Sequence, residues 1–197
     1  MDTIPIAVIG SGYLGRFHAQ KYANLPDAEL VGVVDTNPSR AEEVARETNT
    51  SPLSDYRDLY GQIKAASVVV PTPLHYSIAK DLLERDIHVL LEKPMTTTLE
   101  EARELNLIAR KNNLVLQVGH LERFNPAYLA IEQTVKSPLF IESHRLNSFQ
   151  ERGTEVDVIL DIMIHDIDII LNLVDADVTR IHAVGIPVIS SMIDIAN

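Results

Sequence analysis

The chain has 197 residues, 46% hydrophobic and 23% charged, the balance of a globular protein holding one full domain and part of a second. Its 28 acidic against 17 basic side chains give a formal net charge of −11, which repels phosphate backbones and anionic bilayers, so no nucleic acid and no membrane is expected as a partner. Cysteine is absent, which excludes disulfides and thiolate chemistry, and no apolar stretch nears the roughly 18 residues of a membrane span. Met1-Asp2 leads almost directly into an apolar run without a basic leader, so the expected location is cytoplasmic.

The elements then follow in order. Ile6–Ile9 reads as a buried strand ending at glycine, Tyr13–Asn24 as a helix and Leu30–Val34 as a second strand. Asn37-Pro38 supplies a cap and a first-turn proline for a helix running to about Thr48. Ser67–Val70 is a strand closed by Pro71 and Pro73, Leu74–Arg85 a helix and His88–Leu91 a strand. Thr98 with Glu101 forms a capping box for a helix reaching about Asn112, and Leu114–Val118 is one more strand. Unbroken Val/Ile/Leu runs suit strands covered on both faces, and helical spacers between them imply parallel βαβ units. The fold class is α/β, a doubly wound Rossmann sheet.

Beyond Gly119 the rhythm changes. Asn125–Val135 is expected as a helix, Leu139–Asn147 as a strand, Val156–Val174 as a helix and Val178–Val184 as a strand. This reads as the start of an α+β domain, with too few strands to close a sheet face.

Gly10-Ser11-Gly12-Tyr13-Leu14-Gly15 is a G-x-G-x-x-G turn between a strand and a helix. In that setting the first glycine allows the tight turn, the second lets backbone approach a pyrophosphate, and the third lets helix and strand pack closely. Helix N-terminal N–H groups then face the phosphates. Asp35, at the end of the second strand, is placed to accept from the ribose hydroxyls and repel a 2′-phosphate. NAD is therefore expected rather than NADP, with Arg40 as the one feature that accommodates NADP.

Three further motifs fall at the carboxyl ends of strands, where open α/β sheets bind ligands. They are Pro71-Thr72-Pro73-Leu74-His75, Glu92-Lys93-Pro94 and Gly119-His120. A lysine at the end of a buried strand needs a partner or a task, so Lys93 is either ion-paired to Glu92 or functional. Asp157, Asp161, His165, Asp168 and Asn172 form a polar stripe on an otherwise apolar helix, facing either solvent or a functional cavity. Asp161 with His165 is a weak metal motif, because no third ligand is evident, and no metal is expected.

Together these residues resemble the Gfo/Idh/MocA family of oxidoreductases, with Glu92-Lys93-Pro94 as the most specific piece. The resemblance implies an NAD-binding Rossmann domain over residues 1–121. It implies an incomplete substrate and oligomerisation domain over 122–197, hence a homo-oligomer. It implies cofactor contacts from Gly10, Gly12, Tyr13, Leu14, Gly15, Asp35, Thr72, Pro73, His75, Glu92 and Lys93. Lys93 would hydrogen-bond the substrate hydroxyl, His165 would act as acid/base, and Asp161 would position substrate or His165.

A narrower likeness, in Gly119–Pro126 and Leu160–Asp168, is to the branch that includes UDP-N-acetylglucosamine 3-dehydrogenases. It makes Arg123 and Asn125 substrate candidates, with a plain helix cap at Asn125-Pro126 as the alternative. The implied activity is hydride transfer between nicotinamide and a sugar or nucleotide-sugar hydroxyl. Two other readings remain: a truncated, non-catalytic NAD-binding fragment, and a metal-dependent hydrolase using Asp161 and His165.

Overall fold

The computed structural model describes residues 3–146 and 156–197. The chain divides into two compact units, Met1–Gly119 and His120–Asn197.

The first unit alternates strand and helix: β1 (Ile4–Ile9), α1 (Tyr13–Ala23), β2 (Ala28–Val34), α2 (Pro38–Thr48), β3 (Ser51–Leu53), β4 (Ala65–Val68), α3 (His75–Leu83), β5 (His88–Leu91), α4 (Leu99–Lys111) and β6 (Leu116–Val118). All six strands pair in parallel, in the order β3-β2-β1-β4-β5-β6. Right-handed crossovers that step outward one way from β1 and the other way from β4 put their helices on opposite faces. Val8 and Val33 accordingly pack with Ala19 of α1 and Val44 of α2. Ala7, Ile9, Ala66, Val68, Val89 and Leu91 pack with Ile78, Leu82, Leu83 and Leu105 of α3 and α4. Neighbouring strand residues thus enter two separate cores, which is why the strands read as unbroken apolar runs.

The local signals act as expected. Asn37 caps α2 through the Arg40 N–H with Pro38 in the first turn, and Thr98 and Glu101 form the reciprocal capping box of α4. β3, absent from the sequence reading, is a short edge strand with Pro52 at its centre, where a missing N–H is tolerated. β4 begins two residues earlier than expected, because Ala65 and Ala66 already ladder with β1 and β5.

The second unit is mostly irregular. Its elements are a 3-10 turn (Leu121–Phe124), α5 (Pro126–Glu132), a π-turn (Ile159–Met163) running into α6 (Ile164–Leu173), and a hairpin of β7 (Gly185–Ile186) with β8 (Ile195–Ala196). The strand expected at Leu139–Asn147 is not formed over Leu139–Leu146, and Asn147 lies outside the described residues. Leu139, Phe140 and Leu146 are almost fully exposed, and no strand of this unit lies alongside them among the described residues. The strand expected at Val178–Val184 is displaced to Gly185–Ile186. The Asp194 carboxylate accepts from the N–H groups of Val188, Ile189 and Ser190 at 2.7, 2.8 and 2.9 Å, closing a turn that pairs Val184 with Asn197. Those hydrogen bonds hold the Asp194 carboxyl well below the usual carboxylate range. Residues Val178–Ala183 precede the ladder, and among the described residues no strand lies beside them.

Candidate active site

At the turn after β1, each glycine answers a different geometric demand. Gly10 has φ +93°, and a Cβ there would lie 2.2 Å from the Val69 carbonyl oxygen. A Cβ on Gly15 would lie 1.8 Å from the Gly10 carbonyl oxygen, so α1 rests directly on the turn. Gly12 is different: a Cβ there meets no atom within 4 Å. Its bare backbone stands at the N-cap of α1, with φ −65° and ψ −165° and no side-chain cap hydrogen bond from Gly12. An approaching ligand gives a glycine at this position a purpose, since it leaves the backbone open to it. Tyr13 and Leu14 open the helix with exposed side chains, and Tyr13 stacks edge-on against Phe17 at 5.1 Å.

Asp35 lies under the same turn and is nearly buried. One oxygen accepts from the Ser11 N–H at 2.9 Å and its hydroxyl at 3.0 Å, the other from the Asn37 N–H at 2.8 Å, with Arg40 at 3.6 Å. Burial pushes its pKa up, but the Asn37 and Ser11 hydrogen bonds and the Arg40 charge outweigh it, so the carboxyl sits below its ordinary value. An ionised carboxylate has about four acceptor sites, so capacity remains for a ribose hydroxyl. The turn, the helix end and this acid fit a dinucleotide. Replacing Asp35 by alanine is expected to weaken NADH binding about tenfold, close to one good charge-assisted hydrogen bond. The NADPH affinity is expected to fall less. An unchanged ratio of the two affinities would remove Asp35 as the discriminating residue.

Beyond β4, Thr72 and Pro73 lie in a 3-10 turn (Thr72–Leu74), half-buried and exposed respectively. His75, expected among the cofactor contacts, is instead fully buried, only 1% exposed. Its Nδ1 lies 2.8 Å from the Pro94 carbonyl oxygen and its Nε2 lies 2.9 Å from that of Val70. Both carbonyls can only accept and a neutral ring carries one N–H, so the ring donates to the loop after β4 or to the loop after β5 and packs between them. Glu92 differs from expectation in the same way. Its carboxylate turns inward, 7% exposed, to His18 Nε2 at 3.1 Å and the Lys93 backbone N–H at 3.3 Å. Lys93 is half-buried at the end of β5, and the Lys93–Pro94 peptide is cis.

In the second unit the polar stripe resolves into separate tasks. Asp157 caps the π-turn by accepting from the Ile159 and Leu160 N–H groups at 3.1 and 3.0 Å. Asn172 donates to Glu132 at 2.8 Å and to the Tyr128 hydroxyl, tying α6 to α5. Asp161 lies in the π-turn and His165 in the first turn of α6, both half-buried. Two substrate candidates take structural roles instead. Asn125 caps α5 through the Ala127 N–H at 3.0 Å, and Arg123 grips Asp168 with its Nε–H and Nη2–H, at 2.7 and 2.6 Å. Among the described residues no group of three or more His, Asp and Glu side chains is arranged to hold a metal ion.

Asp168, a residue the sequence placed only in the stripe, is thus a hub of this unit. The Arg123 hydrogen bonds hold its carboxyl below the ordinary value against burial, helped by His120 at 3.9 Å. A folded pKa below the unfolded one adds stability above pH ~3.9 that is lost as pH falls through the folded value. Asp168→Asn is therefore expected to cost about 1 kcal/mol at neutral pH, because Arg123 remains partly solvated. In urea unfolding the gap between variant and wild type should close below pH ~3.9; a gap independent of pH would show that the charge is not what matters.

A parallel sheet in this order, with a glycine turn and an acid at its switch point, defines a dinucleotide-binding α/β protein. Residues 4–120 match the model of the Gfo/Idh/MocA oxidoreductase family, described as having an NAD-binding Rossmann fold, and the chain belongs to that family. It is 40% identical over 190 residues to UDP-N-acetylglucosamine 3-dehydrogenase of Acidithiobacillus ferrooxidans, covering 96% of this chain and 60% of the relative. To scyllo-inositol 2-dehydrogenase (NAD(+)) of Bacillus subtilis it is 30% identical over 192 residues, 91% of this chain and 56% of the relative. A solved structure of the Acidithiobacillus ferrooxidans enzyme superimposes with a TM-score of 0.91 at 39% identity, over 100% of this chain and 64% of that one. The scyllo-inositol dehydrogenase of Lactobacillus casei, solved with NAD(H) and scyllo-inositol, shares the fold at a TM-score of 0.76 and 22% identity, over 94% of this chain and 60% of that one. The chain thus spans about 60% of the length of the curated relatives it matches.

Proposed function

We propose that this chain carries the cofactor site and the first part of the substrate site of an NAD-dependent dehydrogenase acting on a sugar or nucleotide-sugar hydroxyl. The observation that supports the cofactor half is the Gly10–Gly15 turn locked onto Asp35, with Gly12 bare at the helix end. The 40% identity to a UDP-N-acetylglucosamine 3-dehydrogenase makes that nucleotide sugar the first substrate to try, with its 3-hydroxyl as the reacting group.

NAD, when bound, supplies the hydride acceptor. On this reading, Lys93 hydrogen-bonds the hydroxyl to be oxidised and His165 takes its proton, since imidazole titrates near neutrality. Asp161, one turn before His165, positions the substrate or that ring. Thr72 and Pro73 border the nicotinamide end, while Asp35 holds the adenosine ribose and disfavours NADP. The working form is a cytoplasmic homo-oligomer, which fits the exposed apolar side chains Leu139, Phe140 and Ile181 of the second unit.

The same exposed side chains, with no closed sheet among the described residues of the second unit, favour a second reading: a fragment that binds NAD without turnover. The deciding experiment adds UDP-N-acetylglucosamine to the NAD-loaded 197-residue chain and follows NADH absorbance. Formation of NADH supports the dehydrogenase. NADH binding without reduction on that sugar or on an inositol supports the fragment.

A further inference from the structure

A chain of buried polar groups in the first unit leads to the Glu92 carboxylate. Tyr22 and His18 lie one turn apart on α1, and Ser67, fully buried, sits in the middle of β4 on the α1 face of the sheet. The Tyr22 hydroxyl is 2.7 Å from Ser67 Oγ, Ser67 Oγ is 3.2 Å from His18 Nδ1, and His18 Nε2 is 3.1 Å from Glu92 Oε1. An ionised Glu92 can only accept, so His18 donates from Nε2. In the neutral ring Nδ1 then accepts from the Ser67 O–H, and Ser67 Oγ accepts from the Tyr22 O–H. All three hydrogen bonds point the same way, toward the carboxylate, and every group is satisfied.

Both oxygens of the carboxylate have a partner. Its other oxygen accepts from the backbone N–H of Lys93 at 3.3 Å. At the end of β6 a Cβ on Gly119 would come within 2.8 Å of Oε1, so the glycine there makes space for the acid. The peptide that carries Lys93 is thereby fastened to a carboxylate that α1 and β4 hold still.

We propose that His18 is a positioning residue that aims Lys93, acting through the Glu92 carboxylate. The proposal rests on the reading of Lys93 as the group that meets the substrate hydroxyl. Without the His18 donor, the buried carboxylate has lost a partner and turns toward water, carrying the Lys93 peptide with it. Misplacement of a reacting group by about 1 Å is enough to cost on the order of a hundredfold in rate. The loop that carries Lys93 is then supported by His18 at Glu92, with the buried His75 ring 2.8 Å from the Pro94 carbonyl oxygen on its other side.

The test reads Lys93 directly. The full chain is labelled with methyl acetimidate and the Lys93 peptide is followed by mass spectrometry, with Lys64, Lys111 and Lys136 as internal controls. His18→Leu is expected to raise the Lys93 labelling rate about fivefold or more, as the loop loosens, with the controls unmoved and NADH affinity within about threefold. His18→Gln, which keeps an N–H donor, is expected to return the rate to within about twofold of wild type. An unchanged Lys93 rate in folded His18→Leu overturns the proposal, and so does an equal rise in the two variants. Should His18→Leu not fold, Ser67→Ala removes only the hydroxyl that fixes Nδ1, and an unchanged Lys93 rate there overturns it equally. Turnover separates this from the dehydrogenase reading. If the wild-type chain reduces NAD, kcat falls in His18→Leu while KM for NAD holds, and both readings stand. If the wild type reduces nothing yet Lys93 responds as expected, the dehydrogenase reading fails for this chain and the positioning role stands.

Discussion

Replacing Gly15 by alanine is expected to abolish NADH binding and to destabilise the first unit by about 3 kcal/mol or more, a fall in Tm of roughly 6–12 °C. The added methyl would fall 1.8 Å from the Gly10 carbonyl oxygen and 2.9 Å from its carbon. Both are backbone atoms of a turn already committed to φ +93°, so no side chain can swing aside to make room. The helix has to lift off the strand, and the N–H groups at its end leave the place where phosphates are held. Gly12→Ala makes the matched comparison. Its methyl meets nothing within 4 Å, and the φ of −65° is open to alanine, so stability should move by less than about 1 kcal/mol. NADH affinity should nonetheless fall about tenfold or more, because the methyl stands where backbone approaches the pyrophosphate. Isothermal titration and a thermal melt of the two variants separate the roles. Wild-type affinity in Gly12→Ala would mean that the pyrophosphate does not pass over that residue.

The contrast explains which parts of the molecule were legible in the sequence. The first unit's strands, helices and caps are written in short-range pattern: Val8 and Ile9 serve opposite cores, Asn37 and Thr98 start helices, and three glycines meet three different demands. What escaped there is β3, a three-residue edge strand with Pro52 inside it, which carries no periodicity to detect. The Tyr22–Ser67–His18–Glu92 chain escaped for another reason. Its members lie on α1, β4 and the end of β5, and only the sheet register brings them together. The same holds for His75 and Glu92, where motif position pointed to a ligand but burial turned both side chains inward. In the second unit a strand depends on having a partner. Leu139–Leu146 has the composition of a strand and none beside it among the described residues, whereas Gly185–Ile186 finds one because Asp194 closes the turn. The polar stripe on α6 was visible as spacing, but spacing does not tell a cap such as Asp157 from an ion pair such as Asp168.

Lys93→Ala is expected to leave NADH binding within about threefold of wild type and to lower turnover by about 10²- to 10⁴-fold, the range of a lost acid–base or hydroxyl-binding group. The split follows from position. On the proposed reading, phosphate and ribose contacts belong to the turn after β1 and to Asp35, while Lys93 stands at the end of β5, two strands away from β1 in the sheet. Lys93→Arg sharpens the result. Arginine keeps the positive charge but does not give up its proton, and its planar fork is larger and differently directed than an ammonium. If Lys93 only steadies a developing alkoxide by charge, the arginine variant should recover much of the lost rate; if the lysine shares a proton with the hydroxyl, it should stay near the alanine level. A further Lys93→Ala/His165→Ala double variant tests whether the two act on one hydroxyl. Groups that serve a single step lose little more together than either loses alone, so near-additive losses would assign them to different steps. Undiminished turnover in Lys93→Ala would take the lysine out of the chemistry, and the His18–Glu92 network would then support a loop rather than a reaction.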